Sequence, residues 1–79
     1  MDYNVEYLKK IIEQKCEGFC DNEKIYILNK ITNAIRTVKT YNINGFNLSI
    51  LNHNSVEGKY KETIKLASGK VLTFGFYYD

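Results

Sequence analysis

Apolar side chains recur at Val5, Leu8, Ile12 and Cys16, with Ile11 alongside, while Glu6, Lys9, Lys10, Glu13 and Glu17 fill the positions between them. That spacing collects the apolar set on one face of a helix. A helix is therefore predicted over about residues 3–17, with Asp2 or Asn4 to cap its start and Gly18 to stop it. A second periodic set, Ile25, Leu28, Ile31, Ile35 and Val38, predicts a helix over about residues 22–39. Asp21 is its expected N-cap, and Glu23 falls in the first turn, where the helix dipole favours a carboxylate. The stretch KIYIL at 24–28 is rich enough in β-branched and aromatic residues to pass for a strand, but the longer helical period outweighs it.

After Thr40 the pattern changes. Asn42, Asn44 and Gly45 form a turn-rich hinge, and alternation with a period of two replaces helical spacing. Three strands are predicted, over about residues 46–51, 59–66 and 70–78, with Phe46, Leu48 and Ile50 sharing a face of the first. Tyr60, Glu62, Ile64 and Leu66 share a face of the second, and Leu72, Phe74, Phe76 and Tyr78 a face of the third. Cross-strand partners must lie on the same face. Setting Leu66, Ile64 and Glu62 opposite Lys70, Leu72 and Phe74 requires a three-residue loop, Ala67-Ser68-Gly69. Gly69 then supplies the left-handed residue that closes a type I turn with a G1 bulge.

The expected fold is α+β: a helical hairpin packed on one face of a three-stranded antiparallel meander, in the order ααβββ, within a single domain spanning residues 1–79. A core of this size gives modest stability, so a homodimer that buries more apolar surface is a second expectation.

Composition adds exclusions more than identities. The 79 residues are 44% hydrophobic and 25% charged, which suits a folded globular chain and not a disordered one. Eleven basic against nine acidic residues give a net charge of +2, too small to indicate a nucleic-acid protein by itself. No apolar run is long enough to span a bilayer, and the segment MDYNVEYLKK lacks the layout of a signal peptide, so a cytoplasmic location is expected. Nine Ile, ten Lys, nine Asn and seven Tyr make up 35 of the 79 residues, all encodable by codons of A and T alone, whereas Pro and Trp are absent. The gene is expected to be AT-rich, as in many bacteria, phages and plasmids.

Candidate chemistry is thin. Cys16 and Cys20 lie four apart in a helical region, which suits a disulfide poorly, and with His53 they make only three of the four ligands that structural zinc needs. They read as two reduced thiols, and no metal or cofactor is expected. His53, near Ser55 in a polar loop, is the one candidate base of the commonest type. The SGK at 68–70 has the closing residues of a phosphate loop, but Ile64 and Val71 stand where Gly and Ser or Thr are required. Glu62 shares a strand face with Tyr60, Ile64 and Leu66, and its expected place is at the sheet edge, bonded to a tyrosine hydroxyl or a helix lysine.

Two surfaces remain. Lys59, Lys61, Thr63 and Lys65, with Thr73 and Tyr77, would form an open lysine-rich sheet face of the kind that holds single-stranded nucleic acid, although the single Arg36 argues against base-specific reading. A helix-turn-helix variant would instead present Asn29, Lys30, Asn33, Arg36 and Thr37. Seven tyrosines, and above all the run Phe76-Tyr77-Tyr78 on an expected edge strand, favour protein contact. The expected function is that of a small non-enzymatic protein-binding module, of the kind phages and mobile elements use to block a larger host protein by steric occlusion, anti-CRISPR inhibitors among them. Its expected contact residues are Phe76, Tyr77, Tyr78, Lys59, Lys61 and Lys65, with the acidic positions Glu13, Glu17, Asp21 and Glu23 as a second docking set. The alternative is a small nucleic-acid-binding regulator working through the lysines.

Overall fold

A computed structural model describes residues 5–38, 42–50 and 56–78. Helix α1 (Val5–Lys15) and helix α2 (Asp21–Thr37) precede strands β1 (Ile43–Ser49), β2 (Tyr60–Lys65) and β3 (Val71–Tyr78). This is the α+β, ααβββ arrangement that the hydrophobic pattern predicts, including the helical state of KIYIL. The expected caps Asp2 and Asn4, the helix end at Lys39, and the candidate base His53 with Ser55 lie outside the described residues.

The helical faces hold with a shift of phase. In α1, Leu8 and Ile12 are buried, and Cys16 follows on the same face; in α2 the sheet-facing stripe is Ile27, Ile31 and Ala34, continued by Val38. Leu28 and Ile35 flank it, half-buried, whereas Val5 and Ile25 are exposed. Gly18, at φ +91°, turns the chain between the helices, where the Phe19 N–H donates to the Cys16 carbonyl. The N-cap of α2 is Cys20 rather than Asp21, one residue earlier than expected. Its backbone N–H donates to Glu23 Oε1 at 3.0 Å, the returning half of a capping box.

The β2–β3 hairpin has the register that the three-residue loop requires: Ile64 pairs with Leu72 and Glu62 with Phe74. Gly69 takes φ +94° and donates to the Leu66 carbonyl, and Leu66 donates to the Lys70 carbonyl. The sheet is antiparallel throughout, but its order is β1-β3-β2, which corrects the sequential meander. β3 is the central strand, not an edge. Its physical signature is burial on both faces from Leu72 to Phe76.

The even-numbered residues of β3 face the helices. Phe74 and Phe76 are fully buried beside Phe46 and Tyr60, with ring centroids 5.2–6.4 Å apart. The odd-numbered residues face away, and this outer face is partly closed. Because β1 and β2 both pair with β3, the connection between them must cross it. Val56, Glu57 and Gly58 do so directly above Gly75. A Cβ on Gly75 would lie 2.8 Å from the Glu57 carbonyl oxygen and 3.0 Å from Val56 Cγ1, so this strand glycine serves a close backbone approach.

Candidate functional site

A groove of about 870 Å³ lies between the first turns of α2 and the tip of the β2–β3 hairpin. Cys20, Asn22, Glu23 and Tyr26 line it from the helix, and residues from Lys65 to Ser68, with Lys70, line it from the hairpin. Helical geometry places Glu23 and Tyr26 on one side of α2, three residues apart. Hairpin register brings Leu66 and Lys70 opposite each other.

Glu23 is the polar centre of this groove. Its carboxylate accepts from Ser68 Oγ at 2.6 Å, Lys70 Nζ at 2.9 Å and the Cys20 N–H at 3.0 Å. The Ser68 and Lys70 bonds come first among the causes that bring its pKa down to about 2, so it carries full negative charge at neutral pH. The Lys70 ammonium also lies 4.7 Å from the centre of the Phe19 ring. With three donors on one carboxylate, this acid is held in place rather than free to move protons. Tyr26 remains exposed beside it, with Lys30 Nζ 5.5 Å from the centre of its ring.

The residues expected to contact a partner do not form one surface. Phe76 is 0% exposed in the core, because β3 is central, and it has no access to a partner in this fold. Tyr78 is half-buried against the core, with Lys59 Nζ 5.5 Å from its ring centre. Tyr77 is exposed on the outer face, where its hydroxyl donates to Glu57 Oε2 at 2.8 Å. That bond, and then burial, raise its pKa. Lys61 and Lys65 are exposed on β2, which is an edge strand, and make no ion pair among the described residues.

The open lysine face also needs correction. Thr73 is only 5% exposed, and the crossover covers Gly75 and buries Val56. The crossover is fastened by Asn47, whose Nδ2 donates to the Glu57 carbonyl at 2.8 Å and whose Oδ1 accepts the Glu57 N–H at 3.3 Å. Glu62 sits as expected: half-buried on the edge strand, it accepts from the Tyr60 hydroxyl at 2.7 Å. Burial and this bond push the Tyr60 phenol up to about 12.

Cys16 is buried and Cys20 exposed, both as free thiols; burial, the largest influence, raises the pKa of Cys16. Among the described residues no three His, Cys, Asp or Glu side chains gather in a way that would hold a metal ion. No described helix is long and apolar enough to cross a membrane. The helix-turn-helix positions Asn29, Lys30, Asn33, Arg36 and Thr37 are exposed on α2, although Thr37 Oγ1 donates to the Asn33 carbonyl of its own helix.

Sequence reasoning did not connect Glu23 with Ser68 and Lys70, which lie 45 and 47 residues further along the chain. The available signal was the Cys-x-x-Glu spacing at 20–23, a capping box with sulfur in the place of a serine hydroxyl. Comparison with protein-family models, with curated proteins and with solved structures finds no match for this chain.

Proposed function

We propose that this protein is a non-enzymatic protein-binding module that acts by occluding a surface of a larger protein. The observation that carries this reading is the Glu23 carboxylate, held by three donors in the groove between α2 and the hairpin tip, with exposed Tyr26 at its edge. A pocket acid held by three donors is suited to fixing shape, whereas the aromatic face of Tyr26, with Leu66 and Ala67 beside it, is suited to receiving a partner's side chain. The exposed Val5, Tyr7, Ile25 and Tyr77 add amphipathic surface elsewhere. The AT-leaning composition suits a mobile-element origin, and within the class we place the protein with inhibitors of host defence, CRISPR systems included, acting in the host cytoplasm. Nucleic-acid binding through Lys59, Lys61 and Lys65 is the second reading. The exposure of Lys61 and Lys65, without ion pairs among the described residues, favours it, and the crossover on the outer face counts against it.

The test is affinity capture of the tagged protein from a host lysate treated with nuclease, wild type beside Tyr26→Ala. The expected result is one stoichiometric protein partner that survives nuclease and is lost from Tyr26→Ala, while the circular dichroism of the variant matches wild type. Recovery of nucleic acid alone, or of partners that disappear on nuclease treatment, overturns the reading.

A further inference from the structure

The two edges of the sheet differ in what they offer. β1 is uncharged along INGFNLS, its register slips between Ile43 and Gly45, and its Asn47 side chain is occupied by the crossover. β2 pairs with β3 without irregularity from Tyr60 to Lys65. The bond from the Leu66 N–H to the Lys70 carbonyl fixes the phase of the ladder. By the alternation of antiparallel pairs, Ile64 and Glu62 spend their backbone groups on β3, whereas the N–H and C=O groups of Lys61, Thr63 and Lys65 point to the free edge. The 3.1 Å contact between the Thr63 and Thr73 hydroxyls fits this phase, because side chains approach most closely across non-bonded pairs.

The side chains of those same three residues lie on the outer face and are exposed. Lys61 and Lys65 flank Thr63 and make no ion pair among the described residues, and Glu62, the one acid of the strand, accepts from Tyr60 on the helix side. An extended edge whose outward backbone groups have no partner among the described residues, with two cations in step, is complementary to one kind of chain. We propose that the β2 edge takes up an acidic extended polypeptide segment as a fourth strand. Carboxylates of that segment, four residues apart, meet Lys61 and Lys65 on the outer face, the residue midway between them lies beside Thr63, and the alternate side chains turn toward α2, where an apolar one enters the groove at Tyr26 and Leu66.

The lysines also select against the commonest wrong partner. Two β2 edges pairing antiparallel about Thr63 would set Lys61 of one copy directly against Lys65 of the other, a like-charge arrangement that disfavours edge-to-edge dimers. The same charges favour an acidic strand. This inference rests on the protein-binding reading and specifies the chemistry of the partner segment.

The test uses a short synthetic peptide of alternating glutamate and valine, with an alternating lysine and valine peptide and single-stranded oligothymidine as comparisons. Binding is followed by NMR on the intact protein. The acidic peptide is expected to shift the amide signals of Lys61, Thr63 and Lys65 and to slow their hydrogen exchange. Reversing the charges with Lys61→Glu and Lys65→Glu together should weaken binding at least about tenfold and transfer the preference to the basic peptide. Thr63→Pro should abolish it, because the ring removes an outward N–H that the fold does not use. No binding, binding without protection of those three amides, or binding indifferent to Thr63→Pro would each overturn the proposal. Oligothymidine that displaces the peptide and ignores Thr63→Pro would assign the lysines to nucleic acid instead. A protein partner captured equally by wild type and Thr63→Pro would leave the protein-binding reading standing and remove only the β2 edge. Failure of wild type to capture any protein removes that reading itself.

Discussion

Two polar clasps hold this fold together, and they work by different physics. At one end Glu23 gathers Ser68 and Lys70 and so ties the hairpin tip to the start of α2; on the outer face Asn47 grips both backbone groups of Glu57 and so ties the crossover to β1. At the hairpin tip the turn closes on its own backbone, Gly69 donating to Leu66 and Leu66 to Lys70, so its clasp needs only side chains. Residues 56–58 of the crossover belong to no strand, and a segment laid on a sheet must find partners for its N–H and C=O groups. An amide side chain, donor and acceptor at once, meets both needs. A carboxylate offers acceptors only, but it binds its donors with charge. The first clasp therefore answers to pH and salt, and the second to shape.

The sharpest way to break the comparison is at Gly75, beneath the crossover. Gly75→Ala puts a Cβ 2.8 Å from the Glu57 carbonyl oxygen and 3.1 Å from that of Tyr60, and backbone atoms yield poorly. The expected loss is about 1–3 kcal/mol in urea unfolding, with the aromatic core unchanged. Wild-type stability in Gly75→Ala would refute the close approach. Next comes Asn47→Ala, which leaves two backbone groups of Glu57 without their partner. About 1–2 kcal/mol should be lost, and the loss should be the same at low salt and at roughly 1 M, where exposed charges are screened beyond about 3 Å. A deficit that shrinks with salt would mean that the Tyr77–Glu57 pair, not the amide, holds the crossover.

The same contrast explains what the sequence disclosed. Features set by local chain chemistry were legible: the helical period across KIYIL, the Gly69 turn and the register it imposes on Ile64 and Leu72, and the edge position of Glu62, whose tyrosine partner the structure identifies as Tyr60. Features set by distant contact were not. Alternation assigns each strand a face but no neighbour, so β1 could be placed beside β2 or β3. The residue that distinguishes these is Gly75, because a glycine between two buried phenylalanines marks a backbone passing overhead, and the strand beneath a crossover is the central one. The candidate site was hidden for the same reason. The pattern places Ser68 in the hairpin loop and Lys70 opposite Leu66, and their polar groups match only a fragment of a phosphate loop, whereas their partner is a helix-start glutamate 45 and 47 residues away. Alternation already separates Tyr78, on the face of Phe76, from Tyr77, on the outer face, and the fold keeps that split, with Tyr78 at the core rim and Tyr77 exposed.

The smallest effect should come from Glu23, and its pH dependence is the most diagnostic. Its pKa falls from 4.5 to about 2 when its donors are in place. A depressed folded-state pKa contributes stability that is complete above the unfolded value and is lost as pH falls through the folded one. The stabilisation by Glu23 is thus present at pH 7, starts to fade near 4.5 and is gone below about 2. Glu23→Gln keeps the size of the side chain and removes its charge, so thermal melts should place the variant below wild type at neutral pH, with the gap closing through that window. Added salt should narrow the gap at pH 7, because Lys70 is partly exposed. Asn47→Ala, measured alongside, should keep its deficit across both series, since no titrating group takes part in its two bonds. A Glu23→Gln gap that survives at the acid limit would show that the carboxylate acts by packing against Ser68, and the two clasps would then be of one kind.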